Sequence, residues 1–282
     1  LGVVVLLKKI ATLSVALITI CATAPVFAQG TPDPQQPSVT PPEKEAWKGP
    51  FGGTFTAGFA ILNDYSYRGI SQTQREIAVQ AAFGYETPTV SAQIPLSAYV
   101  GAWGSNVNFP GTGTTAEIDL LTGLRLKTLE DKLTFDLGYI RYNYLSAASS
   151  LFYDFSEFGL VGGYDFGVAQ LQAAVRYSPN FFANSGIAWY KWAQVTVPFS
   201  FIKVNENVAV KGFAAAGNQY VERFTNYGIP TDNYWDWQIG LVLSVYGFDL
   251  TAAYTDTNID VAGCLNTQNC QGRVIFGISK AF

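Results

Sequence analysis

Over most of the chain, apolar and polar residues alternate with a period of two. The clearest stretch lies near 115–127, where Ile118, Leu120, Leu124 and Leu126 share one parity and Glu117, Asp119, Arg125 and Lys127 share the other. Successive side chains of a strand point to opposite faces, so this pattern predicts a strand with one apolar and one polar face. The pattern recurs near 132–145, with Leu133, Phe135 and Leu137 opposite Thr134, Asp136 and Gly138. Near 152–166 it sets Phe158 and Leu160 against Glu157 and Gly159, and near 168–177 Leu171 and Val175 against Gln172 and Arg176. Near 234–246 it sets Trp235, Trp237, Ile239 and Leu241 against Asp236, Gln238 and Gly240.

Further strands are predicted near 51–63, 77–86, 96–106, 187–199, 207–219, 248–257 and 273–282. The stretch 96–106 is too rich in Gly and Ala to assign its faces. Arg141 falls on an apolar parity, which places it near a membrane interface or beyond a bulge. The last stretch puts Val274, Phe276, Ile278 and Phe282 on one side and Arg273, Gly277 and Ser279 on the other. An aromatic end to a final strand is expected in the interfacial girdle of a barrel.

About twelve strands of about ten residues have the length that crosses a bilayer when tilted. Their connections alternate. Longer ones are expected near 64–76, 106–114, 146–151, 178–186, 220–233 and 258–271, and mostly shorter ones near 87–95, 128–131, 167, 200–206 and 247. Short inner turns and long outer loops are the habit of outer-membrane barrels. The predicted fold class is therefore all-β, a transmembrane antiparallel up-and-down barrel of about twelve strands. A soluble two-sheet sandwich is the competing architecture. In the barrel, Glu117, Asp119, Arg125, Asp136, Glu157, Arg176, Asp236 and Arg273 line the lumen, because a charge in lipid costs roughly 2–4 kcal/mol at mid-depth.

Composition sharpens this reading. Charged residues make up 13% of the chain and aromatic residues 15%, against a usual charged share of about 25%. No stretch after the first thirty residues is apolar for long enough to form a spanning helix. The chain has no His, which removes the commonest general base and metal ligand and argues against an enzyme. No cofactor and no metal site are expected. Residues 1–28 read as a cleaved signal peptide, with Lys8-Lys9, an apolar run from Ile10 to Ile20, and Val26-Phe27-Ala28 before the cut. Residues 29–50 read as a Pro-rich, disordered periplasmic linker, and 51–282 as the barrel. Loss of Lys8 and Lys9 takes the net charge from −4 to −6, which gives no case for nucleic-acid binding. Cys264 and Cys270 lie six apart in a polar loop and are expected to pair in an oxidising compartment.

One stretch departs from simple alternation. Asn63-Asp64-Tyr65-Ser66-Tyr67-Arg68-Gly69-Ile70-Ser71-Gln72-Thr73 interrupts the first hairpin. It is read as a structured external turn, with an alternative in which it folds back and brings Arg68 to the mouth of the lumen. Here the sequence resembles the TorF-type family of proteobacterial outer-membrane porins. Asp64-Tyr65, Arg68-Gly69-Ile70-Ser71-Gln72-Thr73, Ala78-Val79-Gln80 and Gly101-Ala102-Trp103-Gly104-Ser105-Asn106 carry the resemblance, which covers about residues 55–125. Ile77 stands where that family usually has Pro. The resemblance implies a porin-type barrel in the outer membrane of a Gram-negative bacterium, and no particular solute.

Two functions follow as expectations. One is passive diffusion of small hydrophilic solutes through a water-filled lumen, with the charged residues above and Arg68 setting selectivity. The other is a non-conducting barrel that acts through its external loops, with Tyr220, Arg223, Phe224 and Tyr227 and the Cys264–Cys270 loop as candidate contacts. Large side chains meeting at mid-height in the barrel would favour the second. Expected partners are outer-membrane lipid, small hydrophilic solutes and the barrel-assembly machinery, the last through the C-terminal strand. The sequence indicates no oligomeric state.

Overall fold

A computed structural model describes residues 47–202, 205 and 207–282. The expected signal peptide and nearly all of the expected linker lie outside the described residues. Twelve long strands are formed: β1 (Thr54–Leu62), β2 (Ala78–Glu86), β3 (Leu96–Asn106), β4 (Ala116–Thr128), β5 (Leu133–Leu145), β6 (Phe155–Asp165), β7 (Gln170–Ser178), β8 (Ala188–Pro198), β9 (Val208–Val221), β10 (Asn233–Val245), β11 (Phe248–Thr257) and β12 (Arg273–Ala281). Each pairs antiparallel with the next in sequence, and β12 returns to β1 through Gly277↔Leu62 to Ala281↔Gly58. The sheet therefore closes. Closure removes the exposed edges that an open sheet leaves, and it is the only way strands satisfy their backbone groups in lipid. A short strand, Trp47–Lys48, adds to β1 through Trp47↔Phe55.

The two faces sort as the alternation predicts. Leu120, Leu124, Phe135, Leu137, Phe158, Ile239, Leu241 and Phe276 are exposed on the outer wall. Their sequence neighbours Asp119, Arg125, Asp136, Glu157, Gln238 and Ile275 are buried inside. A barrel wall made of Leu, Ile, Phe and Trp is a surface for lipid, so this is a transmembrane barrel. The faces of β3 resolve as well. Ser97, Tyr99, Trp103 and Ser105 are buried inward while Val100 is exposed. The outer face carries Ala98, Ala102 and Gly104 and the inner face Ser97, Gly101 and Ser105, which is why the sequence pattern leaves the faces of this strand unassigned.

The β4–β5 ladder runs unbroken from Ala116↔Leu145 to Thr128↔Leu133, so no bulge displaces Arg141. Arg141 lies on the outer wall near the external end of β5, 3.6 Å from Asp154. At the external rim, several ladders are extended by asparagine side chains. Asn106 accepts from Val79 N at 2.7 Å and donates to Ile77 O at 2.9 Å. Asn63 likewise donates to Val274 O at 3.1 Å and accepts from Phe276 N at 2.7 Å. An amide side chain mimics a peptide group, so the rim keeps its backbone satisfied where strand pairing stops.

Candidate functional site

The site begins at the connection between β1 and β2. Residues 63–77 do not project outward as an external turn. They fold into the barrel, which overturns the preferred expectation for this stretch. Ser66–Tyr67 and Ile70–Ser71 form a small hairpin, paired through Tyr67↔Ile70. Arg68 and Gly69 form its tip with φ of 49° and 82°. Positive φ at both central positions is the signature of a type I′ turn, and Gly is the residue best suited to it. Gly69 is also packed closely, since a Cβ there would lie 2.2 Å from Thr257 Cγ2.

Asp64 holds the base of this hairpin. Ser71 Oγ donates to Asp64 Oδ1 at 2.6 Å and Thr73 Oγ1 donates to the same oxygen at 2.9 Å. Arg273 of β12 donates through Nε to Asp64 Oδ2, and through Nη1 to Gly69 O at 2.9 Å. The disulfide loop grips the other side. Cys264 and Cys270 are bonded, with Cα atoms 6.0 Å apart. Within that loop and just after it, Asn269 O accepts from Ser71 N at 2.9 Å and Gln271 O accepts from Arg75 Nη2 at 3.0 Å.

The tip reaches the opposite wall. Arg68 Nη2 donates to Glu157 Oε2 of β6 at 2.6 Å, and Nη1 donates to Gln219 Oε1 of β9. Its guanidinium carbon lies 4.2 Å from the centre of the Tyr190 ring on β8 and 4.6 Å from that of Tyr67. In a closed sheet of twelve strands, β7 and β8 are diametrically opposite β1 and β2. Arg68 therefore crosses the lumen. Arg176 of β7 stands 3.6 Å from the same Glu157 oxygen and donates to Tyr142 Oη at 3.2 Å, while Tyr142 donates to Glu157 at 3.1 Å. Arg68, Glu157 and Arg176 are each at most 2% exposed. Buried charges of this kind are stable only when paired and hydrogen-bonded.

Above the hairpin, loops from four connections converge. Phe109, Tyr153, Phe182 and Tyr227 form a lid, with Tyr153 and Phe182 stacked at 4.2 Å and Phe109 edge-on to Tyr153 at 5.8 Å. Burial raises the Tyr153 phenol above its ordinary value. Phe224 and Tyr227 are half-buried in this packing. Arg223 donates to Asn184 Oδ1 at 3.2 Å, and Tyr220 lies on the outer wall of β9. These four candidate contact residues are thus split between the lid and the lipid-facing wall.

All nine candidate lumen residues have inward, buried side chains. They do not form one cluster. Arg68, Glu157 and Arg176 meet in the outer half. Arg125 and Asp136 are direct cross-strand partners nearer the inner end, joined at 2.8 Å, with Glu86 at 2.9 Å and Tyr99 donating to Asp136 at 2.8 Å. Asp236 accepts from Tyr190 at 3.1 Å. Gln219, Tyr142 and Tyr190 are not distinguished by the sequence as site residues, although all three sit on inward parities, and Asp64 enters there only as part of the Asp-Tyr motif. Tyr190 lies flat on the wall because Gly217 on β9 leaves room, and a Cβ at Gly217 would meet its hydroxyl at 2.2 Å. Below the closure, Gln172, Gln194, Thr196, Lys211 and Thr251 are only partly buried, so the inner half of the lumen has a polar wall that reaches solvent.

The chain is similar to solved outer-membrane barrels, at low identity. LpxR from Salmonella typhimurium is 9% identical, with 80% of this chain and 99% of that chain covered and a TM-score of 0.44. The porin NanC is 9% identical, covering 81% and 98%, with a TM-score of 0.46. The β domain of the Bordetella autotransporter Brka is 13% identical, covering 82% and 98%, with a TM-score of 0.43. No curated protein matches the chain. A bacterial transmembrane barrel of this kind resides in the outer membrane of a Gram-negative cell. A family model described as "Bacterial protein of unknown function (Gcw_chp)" matches residues 46–282, and the chain belongs to that family.

Proposed function

We propose that this protein is a porin-type channel for small hydrophilic solutes whose outer mouth is closed by the 63–77 segment and opens when that segment withdraws. The observation that carries this reading is the reach of Arg68 across the barrel to Glu157 and Gln219. The closing element is a loop-borne hairpin held by hydrogen bonds and ion pairs, and it sits over a polar lumen wall. Loops are the parts of a barrel able to move while the ladder stays intact. In the closed arrangement the lumen does not conduct. The resemblance of residues 55–125 to TorF-type porins supports the same reading, as does the signal peptide expected over 1–28. Mixed charge at the constriction would set selectivity once the hairpin leaves.

Together with the aromatic lid, the large side chains that meet inside the barrel around Arg68, among them Arg176, Tyr142 and Tyr190, support a second reading, a non-conducting barrel that presents its loops. Single-channel recording of folded protein in a planar bilayer separates the two. The gated channel gives rare openings in wild type and a several-fold larger open fraction in Arg68→Ala. Verified inserted protein with no steps in either form would sink the channel and leave the loop-presenting barrel.

A further inference from the structure

Among the described residues, three cations stand on the outer wall of the strands: Arg141 on β5, Lys191 on β8 and Lys280 on β12. Two of them are matched within the protein. Arg141 lies 3.6 Å from Asp154. The Lys280 ammonium lies 4.6 Å from the centre of the Phe248 ring and 5.2 Å from that of Phe282, a cation–π arrangement. Lys191 differs. It is exposed on the face that carries Trp189 and Val195. Its register partners are Val175 on β7 and Asn218 on β9, and neither is charged. It forms no ion pair with a described residue.

The surroundings of Lys191 fix its depth. It is the fourth residue of an eleven-residue strand, counted from the end that meets the external loops. One step toward the exterior, Tyr177, Trp189 and Tyr220 stand in register on β7, β8 and β9, with the Tyr177 and Trp189 rings 4.7 Å apart. Aromatic rings with a polar edge collect at the membrane interface, so this row marks the outer girdle. One step inward, Ala173, Ala193 and Ala216 are in register on the same three strands, and Trp237 follows on β10. The lipid-facing wall is therefore shallow just beneath Lys191 and bounded by an indole. The ammonium starts just inside the girdle, and its flexible stem lets it reach back to headgroup level. A cation on the lipid face costs little at that depth, where anionic headgroups can meet it. With no anion supplied by the strands around it, the counter-charge of Lys191 comes from the membrane.

We propose that Lys191 binds the phosphate of an outer-leaflet lipid headgroup, with an acyl chain of that lipid lying on the alanine row below. Charge complementarity carries the inference, and it is independent of whether the lumen conducts. Protein in mild-detergent micelles, verified as folded by its heat-modifiable migration, is mixed with lipid A or with lipid A freed of its phosphates. Retained lipid is counted by native mass spectrometry. Wild type should hold the phosphorylated lipid roughly tenfold more tightly, as expected of one charge-assisted hydrogen bond. Lys191→Gln should lose that preference and Lys191→Arg should keep it. Lys127→Gln, on the lumen face of β4, should leave it unchanged. Equal retention of the two lipids by wild type, or a preference that survives in Lys191→Gln, overturns the proposal. So does a wild-type dimer that Lys191→Gln dissociates, because this face would then meet a second copy of the chain.

Discussion

Arg68, at the tip of a hairpin rooted between β1 and β2, donates to Glu157 of β6 at 2.6 Å on the far side of the barrel. Both groups are buried, so the bond is shielded from water and salt. It joins a local motif to a wall residue 89 positions away. Removing the cation leaves Glu157 with Arg176 at 3.6 Å and Tyr142 at 3.1 Å. Arg68→Ala should therefore cost about 3 kcal/mol, the low end for breaking a buried pair. Urea unfolding in micelles measures this, and a change below the error of the method would mean that the hairpin is not anchored by this pair.

The disulfide loop should act as a latch on the same hairpin. It presents Asn269 O to Ser71, while Gln271 O takes Arg75 and Thr257 donates to Cys270 O at 2.8 Å. Cys264→Ser with Cys270→Ser should release these carbonyls without touching the strands. Hydrogen exchange should accelerate at least several-fold over 64–76 and stay unchanged in β4–β6. Uniform acceleration would mean that the bond stabilises the whole barrel instead.

Tyr190 depends on Gly217. In Gly217→Ala the new methyl would meet the Tyr190 hydroxyl at 2.2 Å, so the ring must leave the wall. It would then lose Asp236 and its place 4.2 Å from the Arg68 guanidinium. Overpacking of this kind costs about 1–3 kcal/mol. A drop in melting temperature together with a larger open fraction is expected. A neutral result would show that the tyrosine has another resting place.

The two wall faces should tolerate charge very differently. Leu120 is 53% exposed on the outer wall. Leu120→Arg should lower folding free energy in bilayers by roughly 2–4 kcal/mol. Gln172→Arg, on the polar inner wall of β7, should change it by less than about 0.5 kcal/mol. Equal costs at the two sites would contradict a lipid-facing outer wall.

Much of this molecule follows from residue order. The period-two alternation determined where the strands run and which face meets lipid, because a strand has only two sides and lipid accepts only one kind of residue. That reasoning placed Glu117, Asp119, Arg125, Asp136 and Glu157 inside, with strand boundaries close to those observed. It left the faces of β3 unassigned, because Ala98, Ala102 and Gly104 on one side contrast too little with Ser97, Gly101 and Ser105 on the other. The motif from Asp64 to Thr73 stood out, and its Gly69 suits the second position of a type I′ tip, yet its direction could not be read. Whether a hairpin projects outward or folds inward depends on partners at positions 157, 219 and 273, far along the chain. Alternation is a local property and can be read residue by residue. The crossing of Arg68 and the lid assembled from four loops arise only when twelve strands close and bring distant positions together. Sequence therefore determined the wall, and tertiary closure decided what fills it.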